Sequence, residues 1–482
     1  MPLPTIPSGN VASATGGGFE VANSCRFNDG DSAYMEKSPA SNGSNTTATF
    51  SAWVKRGNLG ARQAIFGGQE GTTTAERCVM EFNASDQLVM QTGNGGSFVN
   101  KVSNRVFRDC SAWYHLIFQF DTTNGTASSR WKFFVNGVEE TSLATNDTFP
   151  DSADIKFFEN TTSCRIAVGM KPEGSSNVQF FDGYMAEVVV IDGTVVAPSS
   201  FGEYDEDSPT IWKPKDVSGL TFGTNGFYLD FEASDNLGND ANGGTDLTES
   251  GLAATDQCVD SPTNNFCTMN PLRLAGTLSE GNCTYVPTAT AHTCEATFGI
   301  TAGKWYWEMR VSDDNQVMGL LENGISVVGN SDDNYPSYTI LNNGSTTWTA
   351  YNNVSAGNQG STFSGTAVTD SGNDIVMMAF DADNENLYVG LNGTWQNSGD
   401  PTSGATGTGA VITSVQARYG GTLIPFVGVS AGASRTFDVN FGNPTWSLSS
   451  AVNDGNGYGN FEYAPPSGFL ALCTKNLGSD GG

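Results

Sequence analysis

Four carboxylates crowd into one short stretch, Glu203, Asp205, Glu206 and Asp207, the densest acidic cluster in the chain. Two carboxylates flanking one sugar are enough for glycoside hydrolysis, one as general acid and the other as base or nucleophile. These four fall where the pattern predicts a short helix or turn over Ala197 to Asp207, with Ser199 and Ser200 as caps, so they read as a solvated acidic turn. His115 follows Trp113 and Tyr114 on an alternating stretch and has no suitably placed nucleophile motif, which makes it a packing histidine rather than a base. Asp29 with Asp31, or Asp381, Asp383 and Glu385, offer oxygens to Ca²⁺, a hard cation that takes six to eight of them; both groups sit in turns that lack an EF-hand-type loop. Tyr335, Tyr338, Trp348 and Tyr351, set among Asn, Ser and Gly, and Trp395 after Asn392-Gly393, are the candidate ligand-binding residues. Aromatic rings with polar neighbours stack on a sugar or anchor a protein contact at small entropic cost. Two of the first four should point inward, because Trp348 and Tyr351 flank the strand-like Thr349-Ala350.

Nine cysteines, Cys25, Cys78, Cys110, Cys164, Cys258, Cys267, Cys283, Cys294 and Cys473, form no C-x-x-C pair, and His115 and His292 are the chain's two histidines. A structural zinc site is therefore not expected, and buried thiols are; pairing of Cys258 with Cys267 or Cys283 with Cys294 stays open for an oxidising medium. Asn-x-Ser/Thr triplets such as Asn42-Gly-Ser and Asn124-Gly-Thr are expected by chance in so Asn- and Thr-rich a chain.

The elements that must hold these residues are strands. The 482 residues include 58 Gly and 18 Pro, with 38% hydrophobic and 15% charged residues. That length calls for at least two cores, and that composition for short strands and polar turns, an all-β class with very little helix. Phe50, Ala52 and Val54 alternate with Ser51, Trp53 and Lys55; Tyr114, Leu116, Phe118 and Phe120 alternate with His115, Ile117 and Gln119. The run Tyr184 to Ile191, apolar on both faces except at Glu187, predicts a central strand. Lys304 to Val311 predicts a half-buried strand with Trp305, Trp307, Met309 and Val311 on one side. In each half an apolar strand reaches an Asp (Asp121, Asp381), turns, and returns to Asn-Gly (Asn136-Gly137, Asn392-Gly393), a dipeptide suited to type I′ hairpin turns. The boundaries read as an N-terminal arm over 1–24, a first sandwich over 25–233, a connecting segment over 234–271, a second sandwich over 272–475 and a tail over 476–482.

A net charge of −29 sets the chain against nucleic acid, whose affinity comes from basic side chains displacing counterions. The start, Met1-Pro-Leu-Pro-Thr-Ile-Pro-Ser-Gly-Asn10, has no basic n-region or apolar core, so no secretory signal is expected, and no stretch approaches the ~20 residues of a membrane helix.

The first half resembles laminin-G-like or concanavalin-A-like jelly rolls through Phe27-Asn-Asp-Gly-Asp, Phe50-Ser-Ala-Trp-Val-Lys, Trp113-Tyr-His-Leu-Ile-Phe-Gln-Phe-Asp121, Phe134-Val-Asn-Gly137 and Phe181-Asp-Gly-Tyr-Met-Ala-Glu-Val188, which follow that family's order. The second resembles SPRY (B30.2-like) domains through Gly303-Lys-Trp-Tyr-Trp-Glu308, Ala379-Phe-Asp-Ala-Asp383, Leu387-Tyr-Val-Gly-Leu-Asn-Gly-Thr-Trp395 and Val439-Asn-Phe-Gly442. Met1 to Asn10, Asp260-Ser-Pro-Thr-Asn-Asn-Phe266 and Pro465-Pro-Ser-Gly-Phe-Leu-Ala-Leu-Cys473 are similar to stretches of fibre-like and appendage proteins of marine tailed phages. Some concanavalin-A-like folds are glycosidases, but Ser208 stands where one such family's E-x-D-x-x-E would place its second Glu. The resemblances imply a bacteriophage virion surface protein, made in the host cytoplasm. Its arm would attach to other virion proteins, a homo-oligomer would be expected because many such appendages are trimers, and its sandwiches would bind a host glycan or receptor without enzymatic turnover, nucleic-acid binding or membrane insertion. A purely structural decoration or cement protein, and a polysaccharide depolymerase, are the competing expectations.

Overall fold

The computed structural model describes residues 18–73, 76–94, 97–206, 208–312, 315–322, 337–342, 344–352, 360–369, 373–417, 421–430, 432 and 435–480. The described chain divides into two compact units at Thr263/Asn264, and in both the strands form antiparallel sandwiches.

In the first unit, one sheet runs Val138–Glu139, Trp131–Val135, Trp113–Asp121, Thr47–Arg56, Gly183–Asp192, Ser24–Phe27, Gln257–Cys258, with Phe227–Leu229 also on Gly183–Asp192. The facing sheet runs Leu143–Asn146, Ser97–Val106, Gln87–Asn94, Arg77–Phe82, Gln63–Gln69, Arg165–Val168, Tyr34–Lys37, Thr248–Ser250. Phe50, Ala52, Val54, Leu116, Phe118 and Phe120 meet Phe66, Met80, Met90 and Ile166 between the sheets, as the period-two pattern requires. Asn136 and Gly137 take φ of 49° and 77°, and Asn392 and Gly393 48° and 81°, the positive pairs that a type I′ turn needs.

The outer face of the first sheet is also covered. Trp53, Trp113, Tyr184 and Trp212 form one buried cluster there with Val21, and Ile117, Val189, Ile191, Phe201 and Tyr228 another. Residues 18–24, read as arm, therefore include packed chain. The stretch 234–263, read as connection, instead adds a strand to each sheet: Thr248–Ser250 pairs with Tyr34–Lys37 and Gln257–Cys258 with Ser24–Phe27. Its polar composition misled because edge strands bury little side-chain surface. The helix expected over Ala197 to Asp207 is a single 3-10 turn, Pro198–Ser200, followed by strand Gly202–Tyr204 paired to Trp212–Pro214. Ser199 and Ser200 lie inside that turn and no side chain caps it. A Cβ on Gly202 would come within 2.6 Å of the Trp212 indole, so close backbone approach to a buried ring sets the path here.

Gly183–Asp192 is central, and a bulge between Ala186 and Val189 interrupts its register with Thr47–Arg56. Glu187 occupies the bulge with φ 50° and accepts a 2.8 Å bond from Tyr228 Oη. Burial raises its carboxyl to about 8. A carboxyl whose folded pKa exceeds its unfolded value destabilises as pH climbs from the unfolded value toward the folded one. Glu187→Gln should therefore be near neutral to stability at pH 4.5 and increasingly stabilising toward pH 8; thermal melts across that range that run parallel for both proteins would refute this.

In the second unit, one sheet runs Met269–Leu274, Thr293–Ala296, Leu423–Val429, Gln316–Glu322, Ser337–Asn342, Thr347–Asn352, Gly360–Ser364. The other runs Gly276–Ser279, Thr284–Pro287, Phe437–Asn440, Lys304–Val311, Asp374–Asp381, Asn386–Leu391, Thr394–Trp395, with Leu470–Ala471 parallel to Lys304–Val311. Trp305, Trp307, Met309 and Val311 enter its core. The strand is buried on both faces at its centre, because Tyr306 and Glu308 lie under residues 461–463. Residues 264–271, also read as connection, supply Cys267 and Met269 to this core, and helix Thr474–Asp480 occupies the expected tail. The internal echo is physical: Asn124 caps Asp121 at 3.1 Å and Asn384 caps Asp381 at 2.8 Å, each three residues on. All nine cysteines are buried thiols.

Candidate functional site

Among the described residues the proposed aromatic set does not converge. Tyr338 and Trp348 are buried in the second core; Tyr338 Oη donates to the Gln416 carbonyl at 2.9 Å and Trp348 Nε1 to that of Thr366 at 2.9 Å. Tyr351 pairs with Thr339 while Trp348 precedes the core-facing Ala350 by two, so Tyr351 and Trp348 occupy opposite faces, as an odd separation dictates. Tyr351 is half-buried, its ring beside Gly360. Trp395, also half-buried, meets Tyr306 edge-on at 6.4 Å. Tyr335 lies outside the described residues. Two rings thus point inward as expected, but the second is Tyr338, leaving Tyr351 and Trp395 as the set's partly exposed described members.

His115 stacks on Trp53, 4.7 Å away at 15°, and lies edge to edge and nearly coplanar with Trp212, 6.1 Å away at 17°. Trp212 Nε1 can only donate, and it reaches His115 Nδ1 at 2.9 Å; the neutral ring therefore carries its proton on Nε2, 2.8 Å from Ser51 Oγ. Burial depresses the imidazole to about 3. A ring that donates to Ser51 is in the wrong tautomer to take that serine's proton. A second serine context, Gly428-Val-Ser-Ala-Gly432, spells the G-x-S-x-G pattern. Ser430 directly follows strand Leu423–Val429, and its Oγ donates to Asn315 O at 3.3 Å; no helix begins at it among the described residues, as a nucleophile elbow would require.

The acidic turn is held internally. Asp205 accepts from Ser208 N at 2.9 Å and from Lys213 Nζ at 3.4 Å, and Glu203 and Glu206 are exposed; Asp207 lies outside the described residues. Of the calcium candidates, Asp29 faces Asn58 and Asp31 accepts from Asn28 Nδ2 at 2.9 Å. Asp381 takes Lys304 Nζ at 2.9 Å, Asp383 takes Gly303 N at 2.8 Å, and Glu385 takes Gln416 Nε2 at 2.5 Å. Each thus has a side chain or backbone amide of this chain against it, Asp31 within its own turn and the others from elsewhere in the sequence. The three carboxylates that converge among the described residues are others: Glu70, Asp154 and Glu159, with one oxygen of each within 4.8 Å of the rest. Burial, then the neighbouring Asp154, pushes the Glu70 carboxyl up to about 9.

A surface that the sequence reading passed over is the outer face of the second sheet in the first unit. Register aligns Arg165, Gln69 and Arg77 in one row, continuing through Gly93 to Phe98, and Glu36, Ala167, Gly67, Val79, Gln91 and Asn100 in the next. The hairpin Lys171–Glu173/Ser176–Val178 straps part of it: Gln69 exchanges bonds with Gly174, Arg165 reaches Asn177 at 2.9 Å, and Arg77 pairs with Glu173. Beside the strap, the Arg77 guanidinium lies 5.0 Å over the half-buried Phe98 ring, and Gln91 Nε2 donates to Asn100 Oδ1 at 2.8 Å. An aromatic ring beside planar amides and a guanidinium can stack on and hydrogen-bond a polar ligand. Its signal was available only as alternation in Gln87 to Val106, which carries no motif.

Residues 29–198 match the sequence profile of the concanavalin A-like lectin/glucanases superfamily. No curated protein matches the chain at a significant level. Among solved structures, the SPRY domain of human HERC1 is 13% identical, covering 36% of this chain and 96% of that one (TM-score 0.28). A putative carbohydrate binding protein from Bacteroides ovatus is 15% identical over 48% of this chain and 58% of that one (TM-score 0.32). A SAP-like pentraxin from Limulus polyphemus is 11% identical over 38% and 81% (TM-score 0.28). Residues 29–198 are thus similar to the laminin-G/concanavalin A-like lectin fold, and SPRY domains are among the structural neighbours of the chain.

Proposed function

We propose that the chain is an adhesive surface protein of a tailed-phage virion, on a tail fibre, appendage or tip, whose first sandwich recognises a host glycan. The observation that carries the glycan reading is the lectin-superfamily match over residues 29–198, joined to the Arg77, Phe98, Gln91 and Asn100 surface on that same unit. Support for the virion setting is the resemblance of Met1 to Asn10, Asp260 to Phe266 and Pro465 to Cys473 to marine phage appendage proteins. Tyr351 and Trp395 are the second unit's contribution to binding in this reading, and turnover is not part of it.

The test is binding of the purified chain to a glycan array and competition with phage adsorption to host cells. Phe98→Ala removes the ring that would lie against the sugar and should weaken binding at least tenfold with an unchanged melting temperature. Silence of the unsubstituted chain in both assays would favour a decoration or cement protein touching only other virion components. Release of reducing ends from host capsule would favour a depolymerase.

A further inference from the structure

The sheet face that carries Arg77 and Phe98 already has an occupant. The hairpin Lys171–Glu173/Ser176–Val178 forms a two-stranded sheet of its own and lies against the larger sheet at Gly67, where a Cβ would come within 2.4 Å of Pro172. Its roots are fixed by backbone bonds, Gly169 N to Ile65 O at 2.9 Å and Ala64 N to Gln179 O at 2.8 Å. Its tip is held by side chains instead. Gln69 donates to Gly174 O at 3.1 Å and accepts from Gly174 N at 2.8 Å; Arg165 reaches Gly174 O at 3.3 Å and Asn177 Oδ1 at 2.9 Å; Glu173 closes on Arg77 and, at 3.5 Å, on Lys171. A tip tied by side chains, outside any ladder of the large sheet, opens more readily than a strand within it.

The tip does not satisfy the face that it covers. Arg77 and Glu81 stand four residues apart on strand Arg77–Phe82 and so share that face. They are 6% and 0% exposed, yet Arg77 Nε and Glu81 Oε2 are buried with no hydrogen-bond partner. One is a donor and the other an acceptor, and leaving either unmatched is costly. Glu173 is thus a partial occupant, which gives two cations a carboxylate and gives Glu81 nothing. With its carboxylate withdrawn, Arg77 and Lys171 would face Glu81, whose other oxygen Arg62 Nε already holds at 2.9 Å. This is a cationic point in a chain where 51 Asp and Glu outnumber 22 Lys and Arg. A guanidinium fork matches a carboxylate in shape as well as charge. A sugar acid brings that carboxylate together with hydroxyls, which donate as well as accept, and a ring face for Phe98.

We propose that Glu173 is a built-in stand-in for a ligand carboxylate, and that the glycan taken up beside Phe98 is a carboxylated one, a uronate or sialate, whose acid group displaces Glu173 from Arg77 and Lys171 as the hairpin tip lifts. The proposal rests on the glycan reading of the same surface and adds to it the ligand's class and an internal competitor. The competitor lowers apparent affinity by the fraction of molecules whose tip is closed.

The test applies the full chain to an array of neutral, sulfated and carboxylated glycans, then titrates each carboxylated glycan that binds against the same glycan as its methyl ester. Binding should be confined to carboxylated glycans and fall at least tenfold on esterification. Glu173→Gln, at a partly exposed position, removes the competitor and should tighten binding to the acid at least threefold, with faster amide exchange at Gly174 as the tip loosens. Hits that are all neutral or sulfated, or an ester that binds as well as its acid, overturn the proposal and leave the glycan reading standing. An array silent in every class sinks the glycan reading itself, and this proposal with it. Equal affinity of the parent and Glu173→Gln for the acid overturns the stand-in role. Should Glu173→Gln fail to fold, Asn177→Ala, which frees the tip from Arg165 and touches neither cation, decides by the same titration: affinity unchanged from the parent overturns that role as well.

Discussion

Asp260→Ala should cost the first unit about 3–5 kcal/mol, the usual toll for removing one partner of a buried ion pair. Lys55 Nζ lies 2.7 Å from Asp260 Oδ2, and the two side chains are 1% and 0% exposed. The same carboxylate accepts Trp113 Nε1 at 3.0 Å, and its backbone oxygen accepts Ser24 Oγ at 2.5 Å. One residue therefore ties three strands to the segment that leaves the unit. The substitution strips an ammonium on a covered sheet face of its nearest carboxylate and unpairs an indole N–H. Urea denaturation should show a lower midpoint with an unchanged slope. Adding Lys55→Met to Asp260→Asn should recover more than half the loss of Asp260→Asn alone, because the stranded charge rather than lost attraction dominates. A single-substitution effect below about 0.5 kcal/mol would show the pair to be dispensable.

Glu308→Ala should have a comparable effect on the second unit, about 3 kcal/mol, through stranded donors rather than a stranded cation. Glu308 is 0% exposed and accepts Tyr463 N at 2.8 Å, Glu462 N at 2.9 Å, Tyr306 Oη at 2.9 Å and Asn440 Nδ2 at 3.2 Å. Burial raises its carboxyl and those four donors pull it back. Alanine leaves the donors around a hole and releases the segment at 461–463 from the sheet. Amide exchange at Glu462 and Tyr463 should accelerate by more than tenfold, with Glu308→Gln intermediate because it keeps one acceptor. Unchanged exchange at those two amides would mean that other contacts hold the segment.

Both predictions rest on residues whose roles the sequence hid. Glu308 looked like the solvent side of a half-buried strand, since alternation reports only that two faces differ and not whether a later segment will cover the polar one. Lys55 and His115 likewise sit on the polar side of clean alternations and are buried. Which aromatic candidates face inward was hidden for a related reason: an aromatic among Asn, Ser and Gly is indistinguishable locally from one that seeds a core, and only pairing register separated Tyr351 from Tyr338 and Trp348.

What the sequence determined by itself was local: strand periodicity, both Asn-Gly turns, the strand ends at Asp121 and Asp381, and hence the all-β class and the count of two sandwiches. Each depends on residues within a few positions of one another, where sterics and alternation act without knowledge of the rest of the chain. Tertiary structure alone decided that 234–263 extends the first sandwich and that Glu70 meets Asp154 and Glu159 across more than eighty residues. Such meetings depend on which strand lies beside which, a choice made by the burial of whole sheets and written in no short segment.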